Sequence, residues 1–154
     1  MAGFGRKLLH ILFAVYLIIL FRITVFRSTF GLGHLFQNGR IILTFFWDYI
    51  ELIRQGNWFS FVYLFVGNII WFVPFGMYMQ YNGKCRNLLW AAVYGFLLSF
   101  LVETLQFVFG TGYSELDDLI LNTLGAWLGA FMVKAGKQLW KLWNMKTERG
   151  AEGK

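Results

Sequence analysis

Apolar residues fall along this chain in four long runs, separated by short polar stretches and one longer mixed segment. The runs cover about residues 8–26, 59–79, 88–109 and 116–135. An α-helix needs about 20 residues to cross the hydrocarbon core of a bilayer, within a range of about 17–25. Each run meets that length, the fourth by continuing toward its lysine-rich tail. The first run exceeds the apolar region of a secretory signal peptide, about 7–15 residues, and lacks a small-residue cleavage site after it. It reads as an uncleaved anchor. The pattern predicts an all-α fold with one domain over residues 1–154: a polytopic membrane bundle of four transmembrane helices, with a basic tail at 136–154.

The mixed segment, residues 28–60, carries its own periodicity. Ile42, Phe45, Phe46, Tyr49, Ile50 and Ile53 recur at helical spacing, while Arg40, Asp48, Glu51 and Arg54 occupy other faces. That spacing predicts an amphipathic helix lying in the membrane interface between the first two spans. It serves either as a lid or lipid-sensing element, or as a surface anchor that closes the bundle. The tail run Lys137-Gln138-Leu139-Trp140-Lys141-Leu142-Trp143 is likewise interfacial, with tryptophans at headgroup depth and lysines reaching phosphate.

Charge orients the bundle. Arg6, Lys7, Lys84, Arg86, Lys134, Lys137, Lys141, Lys146, Arg149 and Lys154 all fall on one side of a four-span arrangement, ten of the fourteen basic residues. The other side holds Arg22, Arg27, Arg40 and Arg54, with the acidic turn Glu115-Leu116-Asp117-Asp118. Lysine and arginine favour cytoplasmic loops, so both termini are expected in the cytoplasm and the amphipathic helix outside it. Composition agrees with lipid as the solvent: 58% of the 154 residues are hydrophobic and 14% charged, against about 25% charged in a soluble domain. The net charge of +6 does not point to nucleic acid, because the basic residues flank apolar runs and form no separate basic-aromatic module. Cys85 stands alone, which excludes an internal disulfide, and His10 and His34 flank different segments. No metal site and no cofactor are expected.

With this topology each polar residue inside a span acquires a depth. Asn68 lies in the outer half of the second span, and Glu103 and Gln106 near the outer end of the third. The fourth begins outside with Glu115, Asp117 and Asp118, and Asn122 follows one turn later. Arg22 and Arg27 end the first span on the same side. Glu103 and Gln106 are three apart, and Asp118 and Asn122 four apart, so each pair shares a helical face. Gly125 extends the second stripe, and Gly129 completes a Gly-x-x-x-Gly spacing that lets helix backbones approach closely, within one chain or between two. Charged groups facing lipid are costly, about 2.5–3.5 kcal/mol at mid-membrane, so these faces should point into the bundle. Pro74 removes the donor that would serve the Ile70 carbonyl and predicts a kink, with Gly76 beside it for close packing. The kink either shapes a cavity or serves packing alone.

Asn68-(x5)-Pro74-x-Gly76, Glu103-x-x-Gln106 and Asp118-x-x-x-Asn122-x-x-Gly125 together resemble the signature of the VanZ-like membrane proteins. The resemblance covers about residues 8–135, and a composite motif spread over three helices is specific. Glu115 stands where many members have Asp, and Ile42-Leu43-Thr44-Phe45-Phe46 lacks a proline that many members carry there. The resemblance implies a multi-pass protein of the bacterial cell membrane, in a family whose name-giving member is associated with resistance to the glycopeptide antibiotic teicoplanin. The family name carries no molecular mechanism.

Two classes of function fit these residues. In the first, an outward-facing polar pocket binds or masks a lipid-linked cell-wall or teichoic-acid component, or a lipoglycopeptide. Asn68, Glu103, Gln106, Asp118 and Asn122 are the candidate ligand-binding residues, supported by Arg22, Pro74, Gly76, Glu115, Asp117 and Gly125, with Trp71, Phe75 and Phe107 as aromatic walls. In the second, Glu103 and Asp118 work as a carboxylate pair of a membrane enzyme acting on envelope lipids or precursors, alone or with a divalent cation. No Ser-His or Cys-His arrangement and no phosphate-cradling glycine loop supports the enzyme. Transport is a further possibility, which four spans without an inverted repeat disfavour. Against all of these stands simple fastening of helices, for example Glu103 paired with Arg22.

Overall fold

The structure, a computed structural model, describes residues 2–26, 40–85 and 87–152. Arg27, His34, Arg86 and Lys154, with residues 28–39 of the long connection, lie outside that set. In chain order the elements are α1 (Ala2–Thr24), β1 (Arg40–Ile42), α2 (Trp47–Arg54), α3 (Trp58–Tyr81), α4 (Leu88–Phe109), β2 (Tyr113–Glu115) and α5 (Leu116–Glu152). Four of the helices are long and apolar enough to cross a membrane. The 24 residues of α3, at about 1.5 Å each, make about 36 Å, more than the hydrocarbon core requires.

Local chemistry starts and stops these helices. The Asn57 side chain accepts from the Ser60 N–H at 3.2 Å to open α3, and the Asn87 side chain does the same for the Trp90 N–H to open α4. Gly110 ends α4 in the left-handed conformation (φ 60°), which lets the Thr111 N–H reach back to the Gln106 carbonyl at 3.1 Å. α5 meets no such stop. Its Lys-Gln-Leu-Trp tail consists of tolerable helix formers, so the helix runs unbroken past the apolar span to Glu152. Leu139, Trp140, Leu142 and Trp143 stay exposed along it.

The predicted amphipathic helix is shorter than its periodicity suggested. Residues 40–42 form a strand instead, paired in parallel with residues 113–115, Ile41 opposite Ser114 and Ile42 opposite Glu115. Phe46 then takes φ 51°, a left-handed conformation that breaks helix propagation, and α2 begins only at Trp47. Once β2 satisfies their backbone, Ile42 and its neighbours have no reason to be helical.

The bundle is built on α5, which packs mostly against α3 and next against α4, while α1 leans on α3 and α4 more lightly. Glycine makes the closest of these contacts. A side chain at Gly125 would run into the Ile69 backbone of α3, and one at Gly129 into the Val73 backbone. The Gly-x-x-x-Gly face is therefore occupied within the chain. The core holds Leu20, Phe72, Phe75 and Ala126, one residue or more from α1, α3 and α5. Chain direction alternates between spans, so α2, both strands, the C-terminal ends of α1 and α4 and the N-terminal ends of α3 and α5 gather at one end of the bundle.

α3 continues as a helix through Pro74. The Tyr16 hydroxyl of α1 donates to the Trp71 carbonyl at 2.6 Å, one residue beyond the carbonyl that proline leaves without its donor. Pro74 lines an apolar groove with Tyr16 on the α1 side of the bundle, away from the acidic residues.

Candidate functional site

Glu103 sits on the buried stripe of α4, where Gly95, Ser99, Val102, Glu103 and Gln106 turn inward at three- and four-residue spacing. Only 4% of it is exposed. Its Oε2 accepts the Glu115 N–H at 3.0 Å, and the Ser114 side chain also hydrogen-bonds the carboxylate, so β2 is its partner. Arg22 is not. The guanidinium of Arg22 donates to the Phe26 carbonyl just past the end of its own helix, so the fastening alternative in which it pairs with Glu103 does not hold. α1 already ends there, so the shortest reach for Arg22 is its own unsatisfied last turn.

A second group joins three elements. The Asn68 amide donates to the Asp118 carboxylate and, at 3.3 Å, to the Tyr49 hydroxyl. Tyr49 in turn directs its hydroxyl to Asp118 at 3.4 Å. Burial, followed by the carboxylates Asp118 and Glu115, pushes the Tyr49 phenol above its ordinary range and keeps it a donor. Its ring meets Phe61 and Phe65 edge-on. α2 is thus pinned through Tyr49 to both α3 and α5.

The remaining polar residues each tie two segments. Asp117 is buried, and its Oδ2 accepts the Phe46 N–H at 2.8 Å, holding in place the left-handed residue that opens α2. A non-glycine residue in that conformation costs about 1–2 kcal/mol, which this bond helps to offset. Asn122 donates to the Ser99 hydroxyl at 2.9 Å, α5 to α4, with both residues buried. Gln106 donates to the Thr24 carbonyl at 3.3 Å, α4 to α1.

The predicted polar residues therefore lie toward one end of the bundle, as several small groups and not one pocket, while Pro74 faces the α1 groove away from them. Glu103 borders open space, as does Glu115 of β2 beside it. With Phe100, Phe107, Ile41, Leu43 and Leu119 it lines a groove of about 280 Å³, close to the lower limit for small-molecule sites. Of the three aromatics expected as walls, Phe107 lines this groove. Phe75 belongs to the core, and Trp71 lies elsewhere on α3. Gln106 Oε1, Thr111 Oγ1 and Asp117 Oδ1 are buried acceptors without a hydrogen-bond partner among the described residues. Among those residues, no three His, Cys, Asp or Glu side chains converge as a metal ion requires.

Sequence reasoning missed Tyr49 as a polar hub, reading it only as part of an apolar face. It also missed Ser99 and Ser114. Ser99 was findable, because it extends the Glu103–Gln106 stripe by one turn of α4. Ser114 was not, because its role depends on the pairing of β2.

A bundle of long apolar helices with its buried polar side chains gathered toward one end defines a small multi-pass membrane protein. The chain belongs to the VanZ/LLP1 family, whose model matches residues 13–140. It is similar to Protein VanZ of Enterococcus faecium, at 28% identity over 125 residues, which is 81% of this chain and 73% of that protein. No solved structure matches it.

Proposed function

We infer that the chain binds or masks an amphiphilic envelope ligand, a lipid-linked precursor or a lipoglycopeptide, in the groove over Glu103, and so contributes to teicoplanin-type glycopeptide resistance. The observation that carries this reading is the groove itself: a buried carboxylate below walls of Ile41, Leu43, Phe100 and Phe107. Ile41, Leu43 and Phe100 are each more than half exposed, so the groove opens toward the lipid side of α4. Such a site suits a molecule with an acyl tail and a hydrogen-bond donor at its head. Asn68, Asp118 and Asn122 then act by holding α2, α3, α4 and α5 in register around the groove. The lysine and arginine bias puts this end outside the cytoplasm and both termini within it, with α2 resting on the outer surface.

The test is Glu103→Gln, expressed in a susceptible strain. The variant keeps one acceptor oxygen for the Glu115 N–H and is expected to reach normal abundance while losing teicoplanin tolerance. A loss of tolerance that merely tracks loss of abundance or thermal stability would reduce Glu103 to a fastener. Cysteine labelling of residues after Val133 checks the orientation: reaction with an impermeant reagent outside intact cells would turn the groove to the wrong face.

A further inference from the structure

At the opposite end of the bundle two cavities adjoin. One is an apolar groove of about 300 Å³ between α1 and α3, lined by Leu12, Phe13, Tyr16, Pro74 and Met77 among others. The other, of about 840 Å³, is lined by Arg6, His10, Asn82 and Lys84. Leu9, Tyr78 and Tyr81 line both, so the two lie side by side. The junction is well ordered by contacts. His10 Nδ1 and the Tyr78 hydroxyl share a hydrogen bond of 2.8 Å, and the Phe13 ring stacks on the Tyr78 ring with centroids 3.5 Å apart. Lys137 of α5 lies over the Tyr81 ring, 5.4 Å from its centroid. No acidic side chain lines this mouth among the described residues.

We propose that these adjoining cavities together bind an anionic glycerophospholipid, its phosphate held by Arg6 and Lys84 and one acyl chain laid along the groove beside Pro74. Charge complementarity selects the occupant. A mouth carrying two lining cations and no carboxylate favours an anionic head over a zwitterionic one, and the groove below it offers only apolar walls to a chain. A phosphate without an acyl chain would leave that groove unused. The Pro74 position also gains a purpose: its ring replaces a donor on the wall that the chain would touch. The site stands at the far end from Glu103 and does not depend on the function proposed there.

Native mass spectrometry of the full chain, released from mixed micelles of phosphatidylglycerol and phosphatidylcholine, tests the site. Retained adducts should be predominantly phosphatidylglycerol. A basic residue near an anionic headgroup contributes about fivefold in affinity, so Arg6→Gln with Lys84→Gln should lower phosphatidylglycerol retention by roughly 30-fold. Excess glycerol phosphate should not displace the lipid. Equal retention of the two lipids, an unchanged double variant, or displacement by glycerol phosphate would each overturn the proposal. Both substituted residues are exposed, so the variants should fold, and their melting temperatures without added lipid serve as the control.

Discussion

Removing the Ser99 hydroxyl separates a helix fastener from a ligand contact. Ser99 is fully buried and Asn122 nearly so, and the 2.9 Å bond between them joins α4 to α5. Ser99→Ala changes almost no volume but strips the Asn122 amide of its acceptor. In a water-soluble core, leaving such a donor unpaired costs about 1–3 kcal/mol. In a bilayer the separated helices also find partners, and measured interhelical bonds average about 0.6 kcal/mol with a maximum near 1.7. The bilayer scale governs here, because the reference state of α5 is an inserted helix whose Asn122 can bond its own backbone. Ser99→Ala should therefore destabilise by about 1 kcal/mol, roughly fivefold in the unfolding equilibrium. Asn122→Leu keeps the size and leaves a serine that can bond its own helix, so it should cost less. The pair Ser99→Ala with Asn122→Leu removes both polar groups and should be nearer wild type than the two single costs added together. Equilibrium unfolding in mixed micelles, run as a double-mutant cycle, measures this coupling. A coupling of zero would refute the reading of Asn122 as a fastener. So would an Asn122→Leu variant that abolishes teicoplanin tolerance at undiminished stability.

Gly129→Val pushes a branched side chain into the Val73 backbone of α3, where no rotamer can give way, and should lower stability by at least the 1–3 kcal/mol typical of overpacking. An unchanged melting temperature would contradict the close approach of α3 and α5. Tyr49 makes a prediction about pH. Its phenol is raised above the ordinary value of 10.0, so the stability it contributes is fully present below about pH 10 and is lost as pH climbs further. Unfolding measured between pH 9 and 11 should show that decline weakened in Tyr49→Phe, and identical profiles would dismiss the burial of the hydroxyl. Tyr16→Phe removes a tie between α1 and α3 while the Trp71 carbonyl keeps its own helical donor, and should cost about 0.6 kcal/mol, read as a lower melting temperature; no shift would show that the bond does not fasten α1.

The spans were legible because lipid imposes a length and an apolar composition that few other structures need. The stripes were legible too. Glu103 with Gln106, and Asn122 with Gly125, face inward as their spacing implied. What spacing does not encode is the partner. A carboxylate three residues from an amide can meet a cation, a backbone N–H or a hydroxyl, and only the meeting of β1 with β2 decides that Glu103 takes the Glu115 N–H. The start of α2 was misjudged for the same reason. Ile42 keeps a helical spacing relative to Tyr49, but pairing with Glu115 across the parallel strands outweighs local periodicity.

That parallel pairing also carries an order of assembly. Strands running the same way cannot be joined by a tight turn, and here α2, α3 and α4 all lie between them in the chain. During synthesis residues 40–42 wait while three later helices emerge and two of them insert. Only when residues 113–115 arrive can they be clasped. A chain interrupted before β2 would keep its first spans in the bilayer yet leave Glu103 without the Glu115 amide and Phe46 without Asp117. The clasp can therefore close only once α4 has been made, and it leaves α5, which follows β2 directly, to add Asp117 and the largest packing face of the bundle.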